Sequence, residues 1–195
     1  MAGSTYELSG EIAESLMSRA TECYEVGLPI KEKISLAREL YTNWKDALIQ
    51  DETIASLLEE IKTNIETTWK VMWDLGVVEM CKHCDEEEGG SCCGKGIEDK
   101  FDAYLLLMNI LMGVNLPDER KRADSCYFLL DNGCMLKVRL VLCVDYLCSK
   151  IMSELSHEDL IKLQEVSGHE LLKGFILYDA IKKFIKGSKK ATKAD

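Results

Sequence analysis

Eight of the nine cysteines lie within residues 81–148, and this crowding limits the possible folds more than any other feature of the chain. The first block reads Cys81-Lys-His-Cys84, then seven residues, then Cys92-Cys93. The second is Cys126-x7-Cys134-x8-Cys143-x4-Cys148. Thiolates oxidise, exchange disulfides and capture stray metal, so a stretch this dense in them points to joint use. The fold then has to deliver these side chains to a common place.

Whether joint use means disulfides or metal depends on the compartment. The N-terminus, Met-Ala-Gly-Ser-Thr-Tyr-Glu, lacks the basic and apolar regions of a secretory signal. The most apolar stretch, 104–112, is too short to cross a bilayer and contains Asn109. A soluble, cytoplasmic protein is expected, and there a cysteine cluster holds metal or cycles redox state rather than forming a disulfide framework. An odd total of nine also fits disulfide pairing poorly.

The net charge of −10 argues against a nucleic-acid surface. The basic exception is the tail carrying Lys182, Lys183, Lys186, Lys189, Lys190 and Lys193, read as the solvated end of a helix. Neither nucleic acid nor membrane is expected as a partner.

The chain around the cysteines has helical periodicity. Only Pro29 and Pro117 interrupt it, and apolar residues make up 47% of the 195, enough for a sizeable core. A first helix places Leu8, Ile12, Leu16, Ala20 and Cys23 on one stripe and stops near Gly27-Leu-Pro29. Cys23, remote from the other eight, reads as a buried hydrophobe. A second helix carries Ile34, Ala37, Tyr41, Trp44 and Leu48. A third carries Ile54, Leu58, Ile61, Ile65, Thr68 and Met72, with Asp51 as its N-cap. Trp44, Trp69 and Trp73 are expected in the core.

Residues 81–97 read as a loop rich in Cys, Gly and acid, followed by a buried central helix over 98–112 that Gly113 and Pro117 end. Residues 118–142 read as irregular or short extended pieces, and 138–155 as mostly helix. Ser156-His-Glu-Asp159 caps a further helix. Ser167-Gly-His-Glu170 repeats that spacing and marks a break before a last helix that buries Leu171, Leu172, Phe175, Leu177 or Tyr178, and Ile181.

The fold class expected is mainly α: a helical bundle with an irregular cysteine-rich metal-binding segment inserted between helices. Its parts are an N-terminal helical segment (1–75), a cysteine-rich region (76–155), and C-terminal helices with a basic tail (156–195), together one compact domain.

Cys81-x-x-Cys84 has the spacing of a chelating turn, two thiolates reaching one metal from a tight loop. No second CxxC follows at zinc-ribbon spacing. The adjacent side chains of Cys92 and Cys93 are expected to diverge, either toward different metals or with one a ligand and the other packed. Asp85, Glu86, Glu87 and Glu88 read as a solvated acidic loop. Lys82, Lys95, Lys100, Lys137 and Arg139 are available to offset charge on a thiolate centre. His83 should face solvent, and His157 and His169 sit at expected helix N-termini.

The second block, with Cys126-Tyr-Phe-Leu, Gly133-Cys134, Arg139 and Cys143, resembles a family of proposed zinc- or iron-chelating domains of the CxxCxxCC type. Its members carry Cys-x-Phe-Leu, Gly-x-Cys, an Arg and further Cys after a leading Cys-x2-Cys-x2-Cys-Cys. Here the leading motif is Cys81, Cys84, Cys92 and Cys93, with seven residues where the family has two, and Leu140 follows Arg139 in place of the common Pro. The resemblance covers 81–148 and implies a metal site.

The expected ligands are therefore Cys81, Cys84, Cys92, Cys93, Cys126, Cys134, Cys143 and Cys148, the number that two four-cysteine sites require. The cofactor is an iron–sulfur cluster or zinc, and iron–sulfur is preferred because a Cys-Cys pair beside a buried helix suits a bulky cofactor. Two alternatives stay open. One is an interaction module with a purely structural zinc site and a protein partner on the N-terminal helices. The other is a metal-free thiol–disulfide protein. No phosphate loop, paired-carboxylate motif or nucleophile elbow is present, so no catalytic residue is assigned.

Overall fold

The computed structural model describes residues 27–87 and 92–192. The first predicted helix and Cys23 lie outside the described residues. Helix α1 (Ile30–Gln50) starts at Pro29, whose φ of −58° suits a helix entrance and whose carbonyl accepts the N–H of Glu32 and Lys33. Helix α2 (Glu52–Asp74) follows after one residue. Asp51 supplies the expected cap, its Oδ1 accepting the Ile54 N–H at 2.9 Å. Gly76, at φ +71°, turns the chain out of α2 where a side chain would be strained.

Helix α3 (Val77–Glu87) is the first departure from expectation, because Cys81 and Cys84 lie inside it rather than in a loop. No Gly or Pro lies within 77–87 to break the helix. A 3₁₀ turn (Ile97–Lys100) leads into α4 (Ala103–Leu111), which begins five residues later than predicted. Phe101 adopts extended geometry between them and packs edge-on against Phe128, with ring centroids 5.2 Å apart. Asp102 then caps α4 by accepting the Leu105 N–H at 2.8 Å. Gly113 ends it, as expected, in a Schellman motif: the Gly113 N–H bonds the Ile110 carbonyl and the Val114 N–H bonds that of Asn109, both at 2.9 Å.

The next stretch is irregular apart from a small antiparallel hairpin, β1 (Leu129–Leu130) and β2 (Gly133–Cys134), that pairs Leu129 with Cys134. The helix expected over 138–155 is two short pieces, α5 (Val141–Val144) and α6 (Ser149–Glu154), because Cys148 between them is extended. The last helix, α7 (His157–Thr192), runs unbroken through Gly168, so His169 is mid-helix rather than N-terminal. One interior Gly costs a helix about 1 kcal/mol, while each fully buried side chain such as Leu163, Leu177 or Ile181 returns about 2 kcal/mol. The break therefore does not form. Ser156 does cap α7, accepting the Asp159 N–H at 3.1 Å.

The buried stripe of α7 is Leu163, Ser167, Glu170, Leu177, Ile181 and Ile185. Phe175, expected inside, is 68% exposed, and Leu172 is also exposed. Helix α7 packs chiefly on α2, and α1 on α4. A Cβ on Gly174 would lie 3.3 Å from Ile61 Cδ1, so the missing side chain lets α2 and α7 come close. Trp44 packs edge-on to Phe184 and Trp69 is half-buried, whereas Trp73 is 56% exposed, contrary to expectation.

The architecture is thus mainly α. One large core joins α1, α2, α4, the hairpin and the C-terminal part of α7. A second, smaller core of Val71, Val77, Ile151 and Leu163 fastens α3 and α6 to the start of α7. No helix among the described residues is long and apolar enough to cross a membrane.

Candidate metal centre

Cys81 and Cys84, one turn apart on α3, share a helix face with buried Val77. Cys81 packs against the smaller core, as does Cys148, the residue before α6. The folding of α6 onto α3 thereby brings together cysteines that are far apart in sequence.

The other cysteines are gathered by backbone contacts. Cys126 donates its N–H to the Cys93 carbonyl at 2.7 Å, and Gly94 pairs with Ser125 as an isolated antiparallel bridge. The hairpin then returns the chain so that Cys134 stands opposite Leu129, three residues past Cys126. Cys93, Cys126 and Cys134 all pack against the large core. Cys143 follows in a turn closed by its N–H on the Leu140 carbonyl at 2.8 Å.

A polar clamp holds the Cys93–Cys126 pairing. Buried Glu98 accepts the Gly96 N–H at 2.9 Å and pairs with Arg120, which also donates to the Ser125 carbonyl. Burial raises the carboxyl's affinity for a proton, but the Arg120 bond and backbone N–H groups outweigh it and keep Glu98 below its ordinary range. Asp85, expected in a solvated loop, is instead on α3 and pairs with Arg122 close to Cys126. His83 faces outward as expected, half-exposed with Nδ1 3.4 Å from Glu87 Oε2.

None of these eight cysteines is in a disulfide. Burial first, then the thiols of Cys92, Cys148 and Cys84, push Cys81 up to about 11. Burial likewise raises Cys126 and Cys143 to about 11 and raises Cys134. The Cys92–Cys93 pair departs from the expected divergence, since the two thiols hydrogen-bond to each other. That bond holds Cys92 down to about 6 and drives Cys93 upward, burial adding to the latter. Cys93 also feels Cys134 and Cys143, and Cys126 feels the same two.

Arg139 is a buried cation beside several of these thiols. It is 7% exposed, its guanidinium lies 4.6 Å from the Trp69 ring centroid, and Nη2 is 3.4 Å from Oε1 of buried Glu170. Its charge favours the thiolate forms of Cys81, Cys134 and Cys143. Of the five cations expected to offset a thiolate centre, Arg139 is the buried one; Lys137 is exposed and bonds the Met112 carbonyl at 2.7 Å. Arg139 Nε, Glu170 Oε2 and Ser167 Oγ are buried without a hydrogen-bond partner. Such orphaned atoms are costly. A buried guanidinium with a donor to spare beside three thiols fits a negatively charged thiolate centre.

The thiols are neighbours but not a closed coordination shell. Among the described residues no three His, Cys, Asp or Glu side chains stand as a group that could hold a metal ion as placed. Beside Cys143 opens a surface cavity of about 500 Å³, lined by Val141, Leu142, Tyr146, Met152, His157 and Ile161 among others.

The residue that sequence reasoning undervalued is Asn109, noted there only as a polar break in an apolar run. It is fully buried, donates to the Val138 and Leu105 carbonyls, and accepts the N–H groups of Lys137 and Val138. The signal was its position within the most apolar stretch, where an amide needs partners. The turn Asp131-Asn132-Gly133, with Gly133 at φ +102°, was the legible sign of the hairpin. Comparisons with family models, curated proteins and solved structures find no match to the chain.

Proposed function

We propose that the chain is a cysteine-ligated metalloprotein that uses Cys81, Cys84, Cys92, Cys93, Cys126, Cys134, Cys143 and Cys148 to hold iron–sulfur or, in its place, zinc, and that serves in redox or metal handling. The observation that carries the reading is convergence: cysteines from separate stretches of chain become neighbours, and Cys81, Cys134 and Cys143 lie near buried Arg139. Packing alone does not require it, because a small apolar side chain would fill these positions without a thiol's reactivity.

When bound, the metal would supply a redox couple if iron–sulfur, or cross-link the helices if zinc. The protein's own part is to present the sulfurs, limit water through the large core, and offset negative charge with Arg139. Protein purified without oxygen should carry stoichiometric iron with sulfide and a broad visible absorption, or stoichiometric zinc and no colour. Wild-type protein free of both metals when expressed with ample supply would refute the reading.

A structural zinc site is the second reading. It is favoured by the small size of the core joining α3 and α6, which leaves those helices few apolar contacts of their own. Chelation would then unfold this region and no redox signal would exist. A reversible one-electron signal would exclude it.

A further inference from the structure

We infer that the solvent face of α7 joins two copies of this chain. The two helices run antiparallel and cross near Gly168, so that Phe175 of each copy enters the cavity beside Ile161 of the other.

Helix α7 packs chiefly on α2, yet Ile161, Leu172, Phe175 and Ile176 stay exposed. Positions 161, 165, 168, 172 and 175 follow one another at steps of 4, 3, 4 and 3, which places them on one stripe. That is the spacing of a packed seam, and here it lies on the side away from buried Leu163, Leu177 and Ile181. Single exposed apolar side chains are ordinary, but several aligned on one helix face mark an interface. The stripe also carries a knob and a hollow. Phe175 is the knob. Ile161 lines the surface cavity of about 500 Å³ together with exposed Val141, Leu142, Tyr146 and Met152.

Gly168 stands midway between Ile161 and Phe175, about 10 Å along the axis from each. A Cβ on Gly168 would meet nothing within 4 Å, so a second helix can approach closely there. A two-fold axis at that point carries each Phe175 to the level of the other copy's Ile161, where apolar walls suit an aromatic ring. The symmetry repeats the contact, and one knob and one hollow per chain bury two rings.

Charge sets the direction and favours a second copy over another occupant. Over 145–165, at the cavity end, five acids outnumber two lysines, and Glu154 and Glu158 are exposed. Over 178–186 three lysines outnumber Asp179, and Lys183 and Lys186 are exposed. A parallel pair would set like charges together, whereas the antiparallel pair sets the basic end of each helix toward the acidic end of the other. A partner segment of one sign would match only one end of this face. The chain itself matches both.

Sedimentation velocity of the full chain over a range of concentrations tests the interface, with reductant present to exclude disulfide-linked pairs. Wild type should sediment at twice the chain mass and dissociate on dilution. Phe175→Glu should weaken the dimer by about tenfold or more. Gly168→Leu should do the same while keeping the helix signal in circular dichroism, because its side chain enters open space within one copy. Lys183→Glu with Lys186→Glu should also weaken the dimer, and adding Glu154→Lys and Glu158→Lys should restore it. A photo-reactive benzoylphenylalanine at position 175, in mixed copies of light and heavy nitrogen, should crosslink to 141–161 of the other copy. A monomeric wild type, or a dimer indifferent to both Phe175→Glu and Gly168→Leu, overturns the inference. So does a charge-exchanged chain that stays monomeric, or crosslinking of position 175 to residues 1–26 of its own chain.

Discussion

Asn109, in the last turn of α4, donates its side-chain amide to the Val138 carbonyl at 2.8 Å and accepts the Val138 N–H at 3.0 Å on its Oδ1. One side chain thus completes both backbone bonds of the residue before Arg139, in a place water does not reach. Replacing Asn109 with Ala strands these buried groups, and we expect a loss of about 3 kcal/mol. Urea unfolding should show an earlier midpoint. An unchanged midpoint would mean the clamp is dispensable.

Arg139 and Glu170 form a buried pair, with Glu170 3% exposed. Burial holds the Glu170 carboxyl above its ordinary range, Arg139 partly opposing this. Removing either partner leaves a buried charge or an orphaned carboxyl, so Arg139→Met and Glu170→Gln should each cost about 3 kcal/mol. The double variant should cost clearly less than the sum of the two, and denaturant unfolding of all four proteins measures the coupling. Strict additivity would show that the two do not interact.

Cys92 is exposed and held near 6, whereas Cys81, Cys126 and Cys143 are raised to about 11. The thiolate is the reactive form and its fraction grows as pH rises. In reduced, chelator-stripped protein, iodoacetamide labelling of Cys92 should therefore rise through about pH 6 and level off by pH 8, with these three labelling slowly until the pH is strongly alkaline. Mass spectrometry of the digested protein reads the order. Cys126 labelling ahead of Cys92 at pH 7 would contradict the hydrogen-bond assignment between Cys92 and Cys93.

Gly174 faces Ile61 across the α2–α7 contact, with 3.3 Å between its would-be Cβ and Ile61 Cδ1. Gly174→Ala should be nearly neutral, as the gain in helix propensity offsets mild crowding. Gly174→Leu should destabilise by about 2 kcal/mol through overpacking. Thermal unfolding separates the two, and equal melting temperatures for both variants would show that the helices can spread.

The helical stripes of α1 and α2, the Asp51 and Ser156 caps and the stop at Gly113 were legible because each depends on residues only a few positions apart. The rotation of α7 was not, since Phe175 and Leu177 are equally good core residues until the position of α2 chooses between them. The helical setting of Cys81 and Cys84 was obscured by the loop associations of CxxC and by the acidic and glycine residues that follow.

The number, type and rough spacing of the cysteines belong to the sequence, and so does the mainly helical character of the chain. Which cysteine neighbours which belongs to the tertiary structure. Cys81 meets Cys148 only because α6 docks on α3, and Cys93 meets Cys126 only through a backbone bond spanning thirty-three positions. The burial of Arg139 follows from Asn109, Trp69 and Glu170, which lie on three different helices. Local periodicity encodes the helices, because their hydrogen bonds close within four residues. The cysteine groupings come from long-range packing, which no local pattern records.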